Sequence, residues 1–178
     1  MIIEPVRFFA PDRSCGMAVD MSIERVREYF RERGMESGVL EFDASSATVE
    51  DAAKVLGVES GRIAKTLSFY GSNGVSLVVC AGDAKIDNGK YKKEFGIKAK
   101  MLKHDETEAL TGYAVGGVCP FAVNKGVKVY LDVSLKRFPT VFPACGSSNS
   151  AIELSIPELE SCTLYEKWVD VSVYQDTN

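Results

Sequence analysis

Apolar and polar positions follow two periods in turn along the chain. Near the start the spacing is helical: Ile23, Val26, Tyr29 and Phe30 share one face, with Ser22 as a cap and Gly34 as a stop. A second helix is predicted after Thr48, which forms a capping-box pattern with Asp51. Its apolar residues Val49, Ala52, Ala53 and Leu56 recur at helical spacing, and Gly57 ends it. The period then changes to two. Residues 63–70 and 75–81 read as strands joined by the turn Gly71-Ser72-Asn73-Gly74, a hairpin. A short helix is predicted over 90–95, stopped by Gly96, then a brief strand over 98–102 and a helical turn or more over 105–110. Later strands are predicted over 127–132, 140–144, 151–154 and 168–173, with a capping box of Ser155 and Glu158 around Pro157. Helices followed by strands with short connections predict an α+β domain around one mixed sheet. Residues 1–20 carry no clear period and read as an extension. Met21, a second possible start, precedes a single domain over 21–178.

Composition narrows the class. The 178 residues are 46% apolar and 26% charged, enough for one core without disulfide staples. A net charge of −4 excludes a polycation that coats nucleic acid, so any RNA contact must be local. One stretch qualifies: over residues 85–103 seven lysines stand against Asp87 and Glu94. It reads either as a solvated face or as a surface for an RNA backbone, with Lys92 and Lys93 as the candidate contacts. The five cysteines are scattered without a C-x-x-C pair, which speaks against a disulfide framework or a zinc site and for reduced thiols. No run is long enough to span a membrane, and Glu4, Pro5 and Arg7 interrupt the N-terminal apolar run of a would-be signal peptide. The expectation is a cytoplasmic protein.

The usual catalytic systems are missing. His104 is the single histidine, in a charged segment at a predicted helix start, and reads as a surface or capping residue. There is no G-x-S-x-G elbow, no H-E-x-x-H, no phosphate-binding G-x-x-x-x-G-K-[ST] and no compelling carboxylate cluster. An enzyme of this sequence is expected to work without a histidine base, a metal or a cofactor. Two glycine-bearing loops remain, over 111–121 and 143–154. Each reads as a tight turn or as a source of backbone donors for an oxyanion. Lys65 alternates onto the strand face of Leu67 and Phe69, so its ammonium points into a cavity or snorkels to solvent.

Taken in order, SSATVEDAAKVLGVESGRIAKTLSF, VVCAGDAKIDNGKYKKEFG, TGYAVGGVCPF, VYLDVSL and ACGSSNSAIEL resemble the YbaK/prolyl-tRNA-synthetase-associated domain family over residues 21–173. The resemblance implies a mixed, barrel-like curved sheet flanked by helices. It also implies an aminoacyl-tRNA deacylase acting in trans on mischarged tRNA, proline tRNA carrying Ala or Cys, with prolyl-tRNA synthetase as a possible partner and neither DNA nor membrane involved. By the same resemblance Lys65, Gly116 and Gly117 are the catalytic candidates. Thr66, Tyr113, Cys119, Pro120, Asp132, Gly146, Ser147 and Ser148 are the substrate-binding ones. Tyr113 stands where related sequences often carry histidine, and the last loop is less glycine-rich and less basic than usual. An aminoacyl ester is already reactive and its neighbouring ribose hydroxyl can assist water, so the absence of a protein base is compatible with this chemistry. The alternative is a non-catalytic module that binds tRNA, a nucleotide or a synthetase.

Overall fold

The helical face predicted first is the one that packs. In the computed structural model, which describes residues 21–44 and 46–174, helix α1 (Met21–Arg31) buries Ile23, Val26 and Phe30. Ser22 lies inside this helix rather than capping it. The predicted extension over 1–20 falls outside the described residues. Helix α2 (Val49–Leu56) carries both predicted ends: Thr48 Oγ1 accepts from the Asp51 N–H at 3.1 Å, and Gly57 closes it at φ 68°.

Six strands form the main sheet, in the order β8-β6-β2-β3-β5-β9. Strands β2 (Ile63–Gly71) and β3 (Gly74–Ala81) are the predicted hairpin, paired from Ala64↔Ala81 to Gly71↔Gly74. Strand β5 (Lys128–Asp132) runs parallel to β3, and β9 (Tyr165–Val169) parallel to β5. On the other side β6 (Thr140–Pro143) runs parallel to the start of β2, and β8 (Leu154–Ser155) antiparallel to β6. The sheet is mixed and curls into a half-barrel, the expected α+β architecture. Residues Leu77 to Ala81 of β3 have no solvent exposure. A strand covered on both faces is a continuous apolar run, as VSLVVCA is. Leu77 and Val79 pack with Phe30 of α1 and Phe121, while Val78 packs with Phe69, Tyr91 and Tyr130 on the opposite face.

Three predicted strands differ. Residues 98–102 form no strand; Met101 makes a single bridge to Phe69, flanked by Tyr70 N–H to Lys100 O at 2.9 Å and Leu102 N–H to Ser68 O at 3.0 Å. The run over 151–154 is split between β7 (Ser150–Ile152), which pairs with the unpredicted β1 (Val39–Glu41), and β8. The run over 168–173 is likewise divided between β9 and β10 (Ser172–Val173), whose partner is the unpredicted β4 (Lys85–Ile86). The remaining helices are α3 (Asn88–Phe95), α4 (His104–Thr111) and α5 (Ile156–Cys162), the last with its predicted capping box.

Candidate active site

One edge of β2 is covered in two places and open between them. Strand β6 pairs with it only at Ile63 and Ala64, and Met101 bridges it only at Phe69. Backbone groups in a strand alternate sides, and Ser68 and Tyr70 use theirs on this outer edge. Thr66 shares their parity, so its N–H and C=O face the gap. A cleft of about 380 Å³ opens there, and Lys65, Thr66 and Leu67 line it. Its apolar side is made by Ala52 and Leu56 of α2, Ile63, and Phe142 of β6. Met101, His104 and the buried Thr107 also line it, and the glycine loop contributes Val115, Gly116 and Val118. A mostly apolar concavity with few polar groups suits a small organic ligand.

The polar groups are distinctive. Thr66 Oγ1 is buried without a hydrogen-bond partner among the described residues, an uncommon state for a hydroxyl. The Lys65 ammonium neither snorkels to solvent nor hangs free. It donates to Gly82 O at 2.8 Å and to Ala84 O, which leaves one of its three N–H groups uncommitted.

The two glycine loops meet. A side chain on Gly117 would come within 2.7 Å of Gly146 O, and one on Gly116, at φ 95°, within 3.2 Å of Ala47 Cβ. Both loops therefore need glycine for close approach. The pair of backbone donors expected from Gly116 and Gly117 is reduced to one, because the Gly117 N–H is spent on Ala114 O at 3.0 Å within its own turn. Gly116 is the member that lines the cleft.

Several predicted substrate-binding residues stand behind the cleft wall rather than in it. Tyr113 is fully buried, and its hydroxyl donates to Phe121 O at 2.5 Å and Ala122 O at 3.3 Å. Cys119 is buried beside it, and burial pushes its thiol up to about 12, so it holds no thiolate near neutral pH. Pro120 is buried as well. Asp132 has no exposure; it accepts from Ser134 N–H at 3.0 Å, Val171 N–H at 2.9 Å and Ser172 Oγ at 2.6 Å. Gly146 packs against Ser22 O, and Ser147 Oγ bonds within its own loop to Asn149 and Ser150. Ser148 is exposed and does not line the cleft; its carbonyl accepts at 2.6 Å from the N–H of Ser46, which does. Lys92 and Lys93 lie exposed on α3 and do not line the cleft. Conversely, Ser46, Thr48, Met101, His104, Thr107 and Ser150 line it without having been predicted. The lone His104 carried a signal by its rarity; the others carried none beyond a helix cap. Among the described residues no group of three or more His, Cys, Asp or Glu is placed to hold a metal, and no helix is long and apolar enough to cross a membrane.

Known proteins resemble the chain in sequence and in fold. The sequence model of the aminoacyl-tRNA editing domain matches residues 43–162. A Bacillus subtilis protein, "Uncharacterized protein YwhH", is 55% identical over 85% of this chain and 97% of its own length. The Enterococcus faecalis "Putative Cys-tRNA(Pro)/Cys-tRNA(Cys) deacylase EbsC" is 33% identical over 65% of this chain and 72% of its own. A proline–tRNA ligase of Shouchella clausii is 29% identical over 64% of this chain, which spans only 20% of the ligase. Among solved structures, "a putative trans-editing enzyme for prolyl tRNA synthetase" superposes with a TM-score of 0.77 at 32% identity, covering 85% of this chain and 97% of that one. By fold and sequence, the chain belongs to the aminoacyl-tRNA editing domain family.

Proposed function

We propose that the cleft hydrolyses the ester of mischarged tRNA in trans, releasing alanine or cysteine from proline tRNA. The observation that carries this reading is the gap in the edge of β2, where the Lys65 ammonium, the unpaired groups of Thr66 and the Gly116 backbone converge. The reaction needs few protein groups. Water adds to the ester carbonyl, the carbonyl oxygen becomes an oxyanion, and the C–O bond to ribose breaks as that oxygen takes a proton. The vicinal ribose hydroxyl helps to orient the water. Gly116 N–H and the free edge of Thr66 supply donors near the carbonyl, in a site that is largely apolar and therefore strengthens them. The uncommitted N–H of Lys65 binds a ribose or phosphate oxygen of the terminal nucleotide. The apolar side formed by Ala52, Leu56, Ile63 and Phe142 receives a small amino-acid side chain. Such a second pocket complements a synthetase that cannot strongly reject smaller or isosteric amino acids.

Charge favours the approach of RNA. Lys98, Lys100 and Lys103 lie in the segment that leads to Met101 and His104 in the cleft lining, with Lys92 and Lys93 beyond it on α3. The name of the Enterococcus faecalis relative and the likeness to the proline–tRNA ligase support proline tRNA as substrate and its synthetase as partner. The test is the release of amino acid from Ala- and Cys-charged proline tRNA. Hydrolysis above the buffer rate is expected, with prolyl-tRNA spared. Lys65→Ala is expected to lose roughly a hundredfold or more in rate, the scale of losing one key electrostatic contact. Lys65→Arg is impaired too, because a planar fork does not replace a point charge. If no mischarged tRNA is turned over by the wild type, the domain is a binding module and the hydrolytic reading is wrong.

A further inference from the structure

We propose that the turn from Ala81 to Ala84 is a clamp that sets the Lys65 ammonium for the reaction proposed above, on which this inference rests, and that Asp83, Ser134 and Arg137 are positioning residues acting through it. Lys65 pairs with Cys80 near the end of the hairpin, so its side chain reaches the turn that follows β3. A lysine side chain has four rotatable bonds and a mobile head. Here that head is held by two carbonyls of one turn, Gly82 O and Ala84 O.

The turn is itself fixed from several sides. Its own hydrogen bond runs from Ala84 N–H to Ala81 O at 3.0 Å. Ser134 Oγ, fully buried, accepts from the Ala81 N–H at 3.1 Å. Ser134 is set in turn by its N–H bond to Asp132 Oδ1 at 3.0 Å. Arg137 ties the two struts together: it pairs with Asp83 through Nη2 and donates from Nε to Ser134 O at 3.1 Å. Its guanidinium also lies over the rings of Phe138 and Tyr174, at 4.8 and 3.8 Å from their centroids. Gly82 seats the turn against the segment that leads into β2, since a Cβ there would lie 2.1 Å from Ser60 O. None of Asp83, Ser134 and Arg137 lines the cleft.

The choice of partners has a chemical consequence. Carbonyl dipoles orient an ammonium without neutralising it. The nearby carboxylate, Asp83, is engaged by Arg137 instead. Lys65 therefore keeps its charge for an anionic or strongly polar oxygen of the substrate. This also accounts for the D-x-S-L string, which reaches the cleft through Asp132, Ser134, the turn and Lys65 rather than by touching a ligand.

The experiment uses the full chain and two independent readouts. The first is kinetic. Asp83→Ala is expected to lower kcat on mischarged tRNA by roughly 10- to 100-fold, the scale of a small misplacement of a catalytic group, with KM within about twofold. In a Lys65→Ala background the same change is expected to cost nothing further, because both act on one group. A general structural defect would instead add to the loss. The second readout is competitive amine labelling followed by mass spectrometry. In the wild type Lys65 is expected to react more slowly than the exposed Lys92, and its relative reactivity to rise several-fold in Asp83→Ala. If Asp83→Ala does not fold, Arg137→Lys, which keeps the charge but loses the second strut, is measured in its place. Unchanged Lys65 labelling in a folded variant, or an additive loss of kcat, overturns the clamp. If the wild type hydrolyses no mischarged tRNA, the proposed reaction fails, and the labelling still decides whether the turn holds Lys65.

Discussion

Asp132 separates a structural from a ligand-binding role. Its carboxylate is fully buried and accepts from two backbone N–H groups, of Ser134 and Val171, and from the Ser172 hydroxyl. It thereby joins the end of β5 to the segment entering β10. Asp132→Ala strands two buried N–H groups; the hydroxyl of Ser172 can rotate to another acceptor. Each stranded donor costs about 1–3 kcal/mol, and losing bonds to a charged acceptor places the total toward the upper end, about 3–6 kcal/mol. For a chain of this size 1 kcal/mol corresponds to about 2–4 °C in Tm, so a fall of roughly 6–24 °C is expected. Asp132→Asn keeps one acceptor oxygen and sets an amide N–H₂ against a donor, so it should fall between the wild type and Asp132→Ala. Thermal unfolding of the three proteins, followed by circular dichroism and checked by urea titration, measures both steps. A Tm for Asp132→Ala within about 2 °C of wild type, together with a raised KM for mischarged tRNA, would refute the reasoning and return Asp132 to the substrate-binding role that its motif implied.

Two further outcomes are expected. If Lys92 and Lys93 meet phosphates, log affinity for tRNA falls linearly with log salt by roughly 0.7–0.9 per phosphate contacted, and replacing both by Ala flattens the slope; an unchanged slope makes the patch a solvated face. Burial pushes the thiols of Cys80 and Cys119 up to about 12. Above about pH 9 the unfolded chain therefore releases thiol protons that the native state retains, and stability must fall as pH rises from there toward 12. Tm measured from pH 7 to 10.5 should show this decline, more weakly in the Cys80→Ala, Cys119→Ala double variant, and an identical decline in both proteins would contradict the assignment.

What the sequence by itself determined is what short-range physics controls. The buried face of α1, the caps of α2 and α5 and the β2–β3 hairpin all depend on residues a few positions apart, and each formed as its pattern predicts. The motif strings were equally legible and identified the family. Tertiary structure decided the rest. Strands of two or three residues, such as β1 and β4, have too little periodicity to announce themselves and exist because a distant partner supplies their hydrogen bonds. A polar residue in a motif is ambiguous in the same way. Asp132 and Tyr113 read as ligand contacts, yet their partners at Val171, Ser172, Phe121 and Ala122 turn them inward. The cleft itself is made by an absence: β6 stops pairing at Ala64, Met101 resumes at Phe69, and Thr66 is left between them. A gap between two segments far apart in the chain leaves no mark on the residues of β2, because a strand's own pattern records which face is buried and not which edge lacks a neighbour.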